Sequence, residues 1–242
     1  MKRILIAHRT EYRYPEPVRL GPHRLLLRPR EGHEVRIASA RLDITPAPRL
    51  RWCRDINDNA VVIASFPAPA ASLSIASEVL IEHFDDAPLD FVVEEYAVRH
   101  PFAYAEAERT DLELWCEPSY PADRAAVAAW VAGLGIGAGP METYVLLDRM
   151  NRSICAQMEY GMREEPGVQS PATTLALVSG SCRDYAALFI EACRSLGLAS
   201  RFVSGYLHTS ETEQGHASTH AWAEVYLPGP GWKGFDPTGG VL

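Results

Sequence analysis

The sequence predicts an α+β protein: an N-terminal antiparallel β-sandwich followed by helices packed on an antiparallel sheet. Three observations carry that expectation. Short period-two segments divided by prolines fill the first 85 residues, helical segments begin at Asp123, and three strand-like runs follow the last helix. Strands first and helices afterwards is the α+β order, not the alternation of a parallel sheet.

In AHRTEYRY, His8, Thr10, Tyr12 and Tyr14 alternate with Arg9, Glu11 and Arg13. HEVRIASARLDITP follows, then a turn-rich DINDN, then AVVIASF; SLSIASEVLIE sets Leu73, Ile75, Val79 and Ile81 on one face. Pro15, Pro17, Pro22, Pro29, Pro46, Pro48, Pro67 and Pro69 fall between these runs and punctuate them. Residues 1–85 therefore read as a sandwich, and no cluster of acids, histidines or nucleophiles inside it suggests chemistry. Residues 86–122 lack clear periodicity and read as a connecting segment.

From Asp123 to residue 242 the period changes. DRAAVAAWVAGLG has a capping aspartate, an alanine-rich body and a glycine stop. METYVLLDRMNRSICAQMEY is a longer helix, and SPATTLALVSG a short one with Ser170 as cap and Pro171 in its first position. SCRDYAALFIEACRSLG is a fourth helix closed by Gly197; SRFVSGYL, HAWAEVYL and WKGFDPT then read as strands. No internal repeat or low-complexity tract interrupts this order.

Composition bounds the function. At 242 residues the chain can bury a real core, and its apolar, charged and aromatic fractions are ordinary. No run approaches the roughly 18 apolar residues of a membrane span. The apolar stretch in MKRILIAHRTEY is too short for a secretory signal, so a cytoplasmic chain is expected. The formal net charge of −8 is unevenly spread: residues 1–60 hold 13 Lys/Arg against 7 Asp/Glu, the remainder 10 against 24. The N-terminal arginines are spaced along alternating strands, a solvated face and not a nucleic-acid surface. Neither nucleic acid nor membrane is an expected partner, and the oligomeric state is left open.

Five cysteines, Cys53, Cys116, Cys155, Cys182 and Cys193, show neither a disulfide framework nor a metal-ligand spacing. Cys182 and Cys193 share one helix about 16 Å apart along its axis, too far for a bond. The setting IEACRSLGL makes Cys193 a core thiol.

Cys182 is the unusual one. Ser181-Cys182-Arg183-Asp184 has the S-x-x-D form of a capping box, and the apolar run that should follow does. With Ser181 as N-cap, Cys182 takes the first helical position, where backbone N–H groups lack intrahelical partners and the dipole favours a thiolate. Taken locally, a small buried cysteine explains the stretch equally well. The partners of a nucleophile lie downstream. His220 opens HAWAEVYL and Asp236 lies in WKGFDPT, after a hairpin through Pro228–Gly231. Adjacent antiparallel strands can set imidazole and carboxylate side by side, the histidine taking the Cys182 proton and Asp236 fixing the tautomer.

These residues carry a family resemblance. GSCRDYAALFIEACRSLGLASRFVSGYL, THAWAEVYLPGPGW and FDPTGG resemble the transglutaminase-like cysteine-enzyme core, with its G-x-C, Gly-Tyr, H-A-W and D-P-T in order. HRTEYRY, PHRLLLRPR and DINDNAVV are similar to the β-sandwich that precedes this core in many bacterial members. The resemblance implies a papain-like, transglutaminase-like core with Cys182 as nucleophile, His220 as general base and Asp236 as orienting acid. Bacterial members usually continue well past D-P-T, so a core shortened at its C-terminal end is expected here.

Tyr160 in MEYG is either a packed core tyrosine, the commoner fate of such a residue, or a hydroxyl donor to the oxyanion. Trp222, two residues after His220, should share its strand face and wall the site. Asp184 reads as the capping-box carboxylate; it partly offsets the helix dipole, so His220 must supply much of the activation. His216-x-x-x-His220, with His208 nearby, would need a helix to converge on a metal, whereas HTSETEQGHAST reads as a polar loop. No metal and no cofactor are expected.

The expected function is cysteine-dependent hydrolysis of a peptide or protein amide through a thioester acyl-enzyme. The alternatives are an acyl transferase using an amine acceptor and a non-catalytic binding module that keeps the fold. The sequence shows no calcium loop of the D-x-D-x-D-G kind that would suggest a calcium-regulated crosslinking enzyme.

Overall fold

The computed structural model describes residues 1–84, 91–208 and 219–241. The chain divides into two compact units, Met1–Pro88 and Leu89–Leu242.

The first unit is a β-sandwich of six strands: β1 (Lys2–Val18), β2 (His23–Leu25), β3 (Val35–Thr45), β4 (Arg49–Arg54), β5 (Ala60–Ser65) and β6 (Ala70–His83). They form two three-stranded antiparallel sheets, ordered β1-β6-β3 and β2-β5-β4. Leu73, Ile75, Val79 and Ile81 are all buried, as their alternation predicts. Leu20, Leu73 and Ile75 gather Tyr14, Leu25, Leu27, Leu42, Ile44 and Phe66 between the sheets.

Strand β4 has no counterpart in the sequence reading. All six of its residues are exposed, so it lacks the apolar alternation that marks a half-buried strand. Its backbone pairing with β5, from Arg49↔Ser65 to Arg54↔Ala60, defines it instead. The turn that closes this hairpin is built on Asp55, whose carboxylate accepts from the Asn57 and Asn59 backbone N–H groups.

The second unit is α+β. Its elements are β7 (Arg99–His100), α1 (Glu106–Cys116), α2 (Arg124–Gly133), β8 (Met141–Glu142), α3 (Thr143–Gln157), β9 (Glu159–Tyr160), α4 (Pro171–Leu177), β10 (Ser179–Gly180), α5 (Cys182–Ser195), β11 (Ser200–Tyr206), β12 (Thr219–Leu227) and β13 (Gly231–Phe235). Strands β11, β12 and β13 form an antiparallel sheet with β12 in the middle.

Helix α5 is the axis of this unit. Ten consecutive residues, Asp184 to Cys193, are buried. A helix buried on every side must be enclosed by other elements, and its two buried acids, Asp184 and Glu191, are met by hydrogen bonds. On one side lies β12, whose Ala221, Ala223, Val225 and Leu227 form a buried row; Phe189 stacks on Phe235 of β13 with ring centroids 5.5 Å apart. On the others lie α2, α3 and α4. At its C-terminal end Leu198 N–H donates to the Cys193 carbonyl and Gly197 adopts φ +78°, the left-handed stop the glycine foretold.

Residues 86–122 hold more than a connection. Within the described part of that segment, α1 and the residues just before it cover the other face of the sheet: Trp115 meets Trp232 edge-on, Tyr104 meets Tyr226, and Tyr226 donates its hydroxyl to Glu108. The Tyr104 hydroxyl accepts from Ala199 N–H and donates to the Tyr226 carbonyl, stitching this layer to β12. The expected capping role of Asp123 also takes a different form. Its carboxylate makes no bond to its own helix; it accepts from Ala172 N–H at 2.9 Å and so caps α4.

Candidate active site

The nucleophile candidate rests on the local structure its sequence predicts. Ser181 is the N-cap of α5 and Cys182 the first helical residue. Asp184 closes the capping box, accepting from Ser181 N–H at 2.9 Å and from the Ser181 hydroxyl at 2.7 Å. It does more than cap. Asp184 is fully buried, its carboxylate is forked by Arg163 at 3.0 and 3.1 Å, and it accepts from Gln169 N–H at 2.8 Å. Burial alone would raise the Asp184 pKa; these bonds outweigh it and hold the carboxyl below its ordinary value. Arg163 thus supplies a countercharge to the capping carboxylate two residues after the thiol.

His220 is buried at the start of β12 and Asp236 follows β13. The ring Nε2 lies 2.8 Å from Asp236 Oδ2. Ring Nδ1 is left for the thiol, and the hydrogen bond with His220 is the main cause that lowers the Cys182 pKa, against opposing burial. Backbone N–H groups of Ala221 and Arg183 assist at the sulfur. The same two bonds, to Asp236 first and then to Cys182, raise the His220 pKa to about 9. Burial pushes Asp236 up, but the His220 bond and the Thr238 N–H, 2.9 Å from Oδ1, bring it below its usual value. The arrangement favours thiolate and imidazolium together, held by a carboxylate.

Tyr160 is not a packed core tyrosine. It is half exposed, and burial first and then the neighbouring Cys182 thiol raise its pKa, which sets its hydroxyl beside the nucleophile candidate. The parallel bridge of β9 with β10 places it, Gly180 lying opposite Tyr160 and Gly161 N–H donating to the Gly180 carbonyl at 2.9 Å. Trp222 does share the face of His220: the two rings stack 6.3 Å apart at 27°. Its indole lies over Gly205 on β11, where a Cβ would come within 2.6 Å of the ring. Cys193 is fully buried and burial raises its pKa strongly, the behaviour of a core thiol.

His216 lies outside the described residues, as do residues 209–218 of the HTSETEQGHAST segment; His208 is described and exposed. Among the described residues no group of three or more His, Cys, Asp or Glu side chains is arranged to hold a metal ion, and no helix is long and apolar enough to cross a membrane. Arg163, Gln169 and the Thr238 N–H were not singled out in the sequence. The only signal for them is proximity to the capping box and to D-P-T.

Known proteins share this architecture. The family model of the bacterial transglutaminase-like N-terminal region matches residues 4–82, and that of the transglutaminase-like superfamily matches residues 134–237. The chain belongs to the bacterial transglutaminase-like superfamily. An uncharacterized protein of Mycobacterium tuberculosis is 30% identical over 254 residues, an alignment covering 99% of this chain and 80% of the relative. Another, from Mycobacterium leprae, is 27% identical over 248 residues, covering 100% and 85%. Among solved structures, a Cytophaga hutchinsonii protein proposed to be a cysteine protease superposes with a TM-score of 0.75 at 18% identity, over 99% of this chain and 77% of that one. At that identity the likeness is one of fold. The superfamily core match contains Cys182, His220 and Asp236, each on the element described above.

Proposed function

We propose that this transglutaminase-like protein is a thiol amidohydrolase, a peptidase or amidase, with Cys182 as nucleophile, His220 as acid and base, and Asp236 as the group that orients the imidazole. One observation carries the reading: a single imidazole lies between a half-buried carboxylate, 2.8 Å from its Nε2, and a thiol at a helix N-terminus whose pKa it lowers. The Cys182 thiolate adds to the amide carbonyl carbon, and the resulting oxyanion is met by the Tyr160 hydroxyl and the Cys182 backbone N–H. The His220 imidazolium gives its proton to the leaving amine as the C–N bond breaks, which leaves a thioester. His220, now neutral, takes a proton from water as the hydroxide adds. Collapse releases the acid and restores the thiolate–imidazolium pair. Partial exposure of Cys182 and Tyr160 gives water access to the thioester, and this favours hydrolysis over transfer to an amine. The description of the C. hutchinsonii neighbour as a cysteine protease agrees with hydrolysis.

Limiting iodoacetamide at pH 6–7 tests this, with the modified cysteine located by peptide mass spectrometry. An ordinary thiol is only about 3% ionised at pH 7, so Cys182 should react first, ahead of exposed Cys53. His220→Ala should slow Cys182 markedly and leave Cys53 unchanged. First reaction at Cys53, with Cys182 inert in folded protein, would make Cys182 a structural thiol. Scanning a peptide library for cleavage then defines the amide recognised.

A further inference from the structure

The carboxylate of Asp236 sits on a six-residue turn closed by its own backbone. Asp236 N–H donates to the Val241 carbonyl at 2.9 Å, and Gly240 N–H to the Asp236 carbonyl at 2.9 Å. Such a turn is rigid within itself, yet that does not fix where it lies. Among the described residues, three side chains outside the turn hydrogen-bond it: His220, Asn151 and Cys155. The last two are one helical turn apart on the same face of α3. Asn151 Nδ2 donates to the Val241 carbonyl at 3.0 Å, and the Cys155 thiol donates to the Thr238 carbonyl at 3.3 Å. The backbone closes on the helix here, since a Cβ at Gly240 would lie 3.3 Å from Cys155 Cβ and 3.4 Å from its sulfur.

We infer that Asn151 and Cys155 are positioning residues, which hold the Asp236 carboxylate against His220 by anchoring its turn to α3. Two short relays connect them to the chemistry. The Thr238 peptide unit bonded by Cys155 through its carbonyl belongs to the residue whose N–H fixes Asp236 Oδ1, while Oδ2 faces the imidazole. The Val241 carbonyl bonded by Asn151 is also the acceptor for Asp236 N–H. A buried asparagine in a helix interior is an expensive choice for packing alone. Asn151 is 1% exposed, and its Oδ1 has no partner among the described residues, so only the amide N–H side is used. The bond to Val241 is what that burial secures.

The inference rests on the triad reading above, and its test reads the thiol, with no substrate required. Asn151→Leu and Cys155→Ala remove one donor each, and Cys155→Ser keeps a donor to the Thr238 carbonyl. The pH dependence of Cys182 alkylation by iodoacetamide is measured for each variant, beside Asp236→Ala and with the melting temperature. We expect Asn151→Leu and Cys155→Ala to slow Cys182 alkylation at pH 6.5 by about five- to ten-fold, the size of one lost hydrogen bond. The alkaline limb should shift toward lower pH as in Asp236→Ala, and Cys155→Ser should restore the profile. In an Asp236→Ala background neither substitution should slow the thiol further. Lowered melting temperatures with pH profiles that superimpose on wild type would overturn the inference and leave the triad reading standing. A wild-type Cys182 no faster than Cys53 would overturn both. Cys155→Ala, which leaves only a small void, decides the matter if Asn151→Leu does not fold.

Discussion

Gly205→Ala should be costly for a reason that can be isolated. Gly205 lies in β11 opposite His220, and its φ is not left-handed, so alanine meets no backbone strain there. The three nearest atoms to an added Cβ, at 2.6, 3.0 and 3.8 Å, all belong to the Trp222 ring. That ring also lies against Gly234 of β13, 3.6 Å from where a Cβ would be, and stacks on His220. The indole cannot move away without disturbing β13 or the imidazole. Overpacking of this kind costs about 1–3 kcal/mol, which for a chain of this length lowers the melting temperature by roughly 3–10 °C. Urea denaturation of the wild type, Gly205→Ala, Trp222→Ala and the double variant measures the coupling. With the indole gone the Cβ has room, so Gly205→Ala should be close to neutral in the Trp222→Ala background. Coupling near zero, or a stable single variant with unchanged Cys182 alkylation, would refute the steric account.

Glu191 should be another sensitive position. Its buried carboxylate accepts from Ser119 N–H at 2.8 Å and Tyr120 N–H at 3.2 Å, so Glu191→Ala leaves two backbone donors unmet. A loss of about 3 kcal/mol in urea unfolding is expected, with a smaller loss for Glu191→Gln, which keeps an acceptor. The third prediction concerns pH. In a Cys182→Ser protein the thiol no longer titrates, yet Asp236 still raises the His220 pKa above its unfolded value. A raised pKa stabilises the fold fully below about pH 6.5, and that stability is lost as pH rises through the folded value. Unfolding free energy should therefore fall between pH 6.5 and 10, and Asp236→Asn should flatten the decline. An equally steep decline in the Asp236→Asn protein would remove the carboxylate as its cause.

What the sequence revealed depended on how local the signal was. Helix α5 was legible because its capping box, apolar body and glycine stop lie within 17 residues and each has a physical meaning there. His220 and Asp236 stood out as residue types at the ends of strands that could be read individually. Strand β4 and helix α1 were not legible, because β4 is exposed throughout and α1 buries a single residue, Leu112. Neither displays the apolar periodicity on which such reading relies. Asp123 announced a cap, but the N–H group its carboxylate accepts from belongs to Ala172, 49 residues away. The exposure of Tyr160 and the use of Asn151 and Cys155 are set by which elements come to lie beside them, which no local pattern encodes.

The order of the site residues along the chain has a consequence for synthesis. Cys182 is made before His220, Asp236 and the turn that α3 anchors, and domains fold as units once their segments have emerged. Until then the thiol lacks the imidazole that lowers its pKa. A nascent chain stalled between residues 182 and 220 would carry an ordinary cysteine, slow to attack its own backbone or a ribosomal neighbour. Reactivity arrives only with the closing strands, so on the triad reading the polypeptide is protected during translation by its own order of assembly.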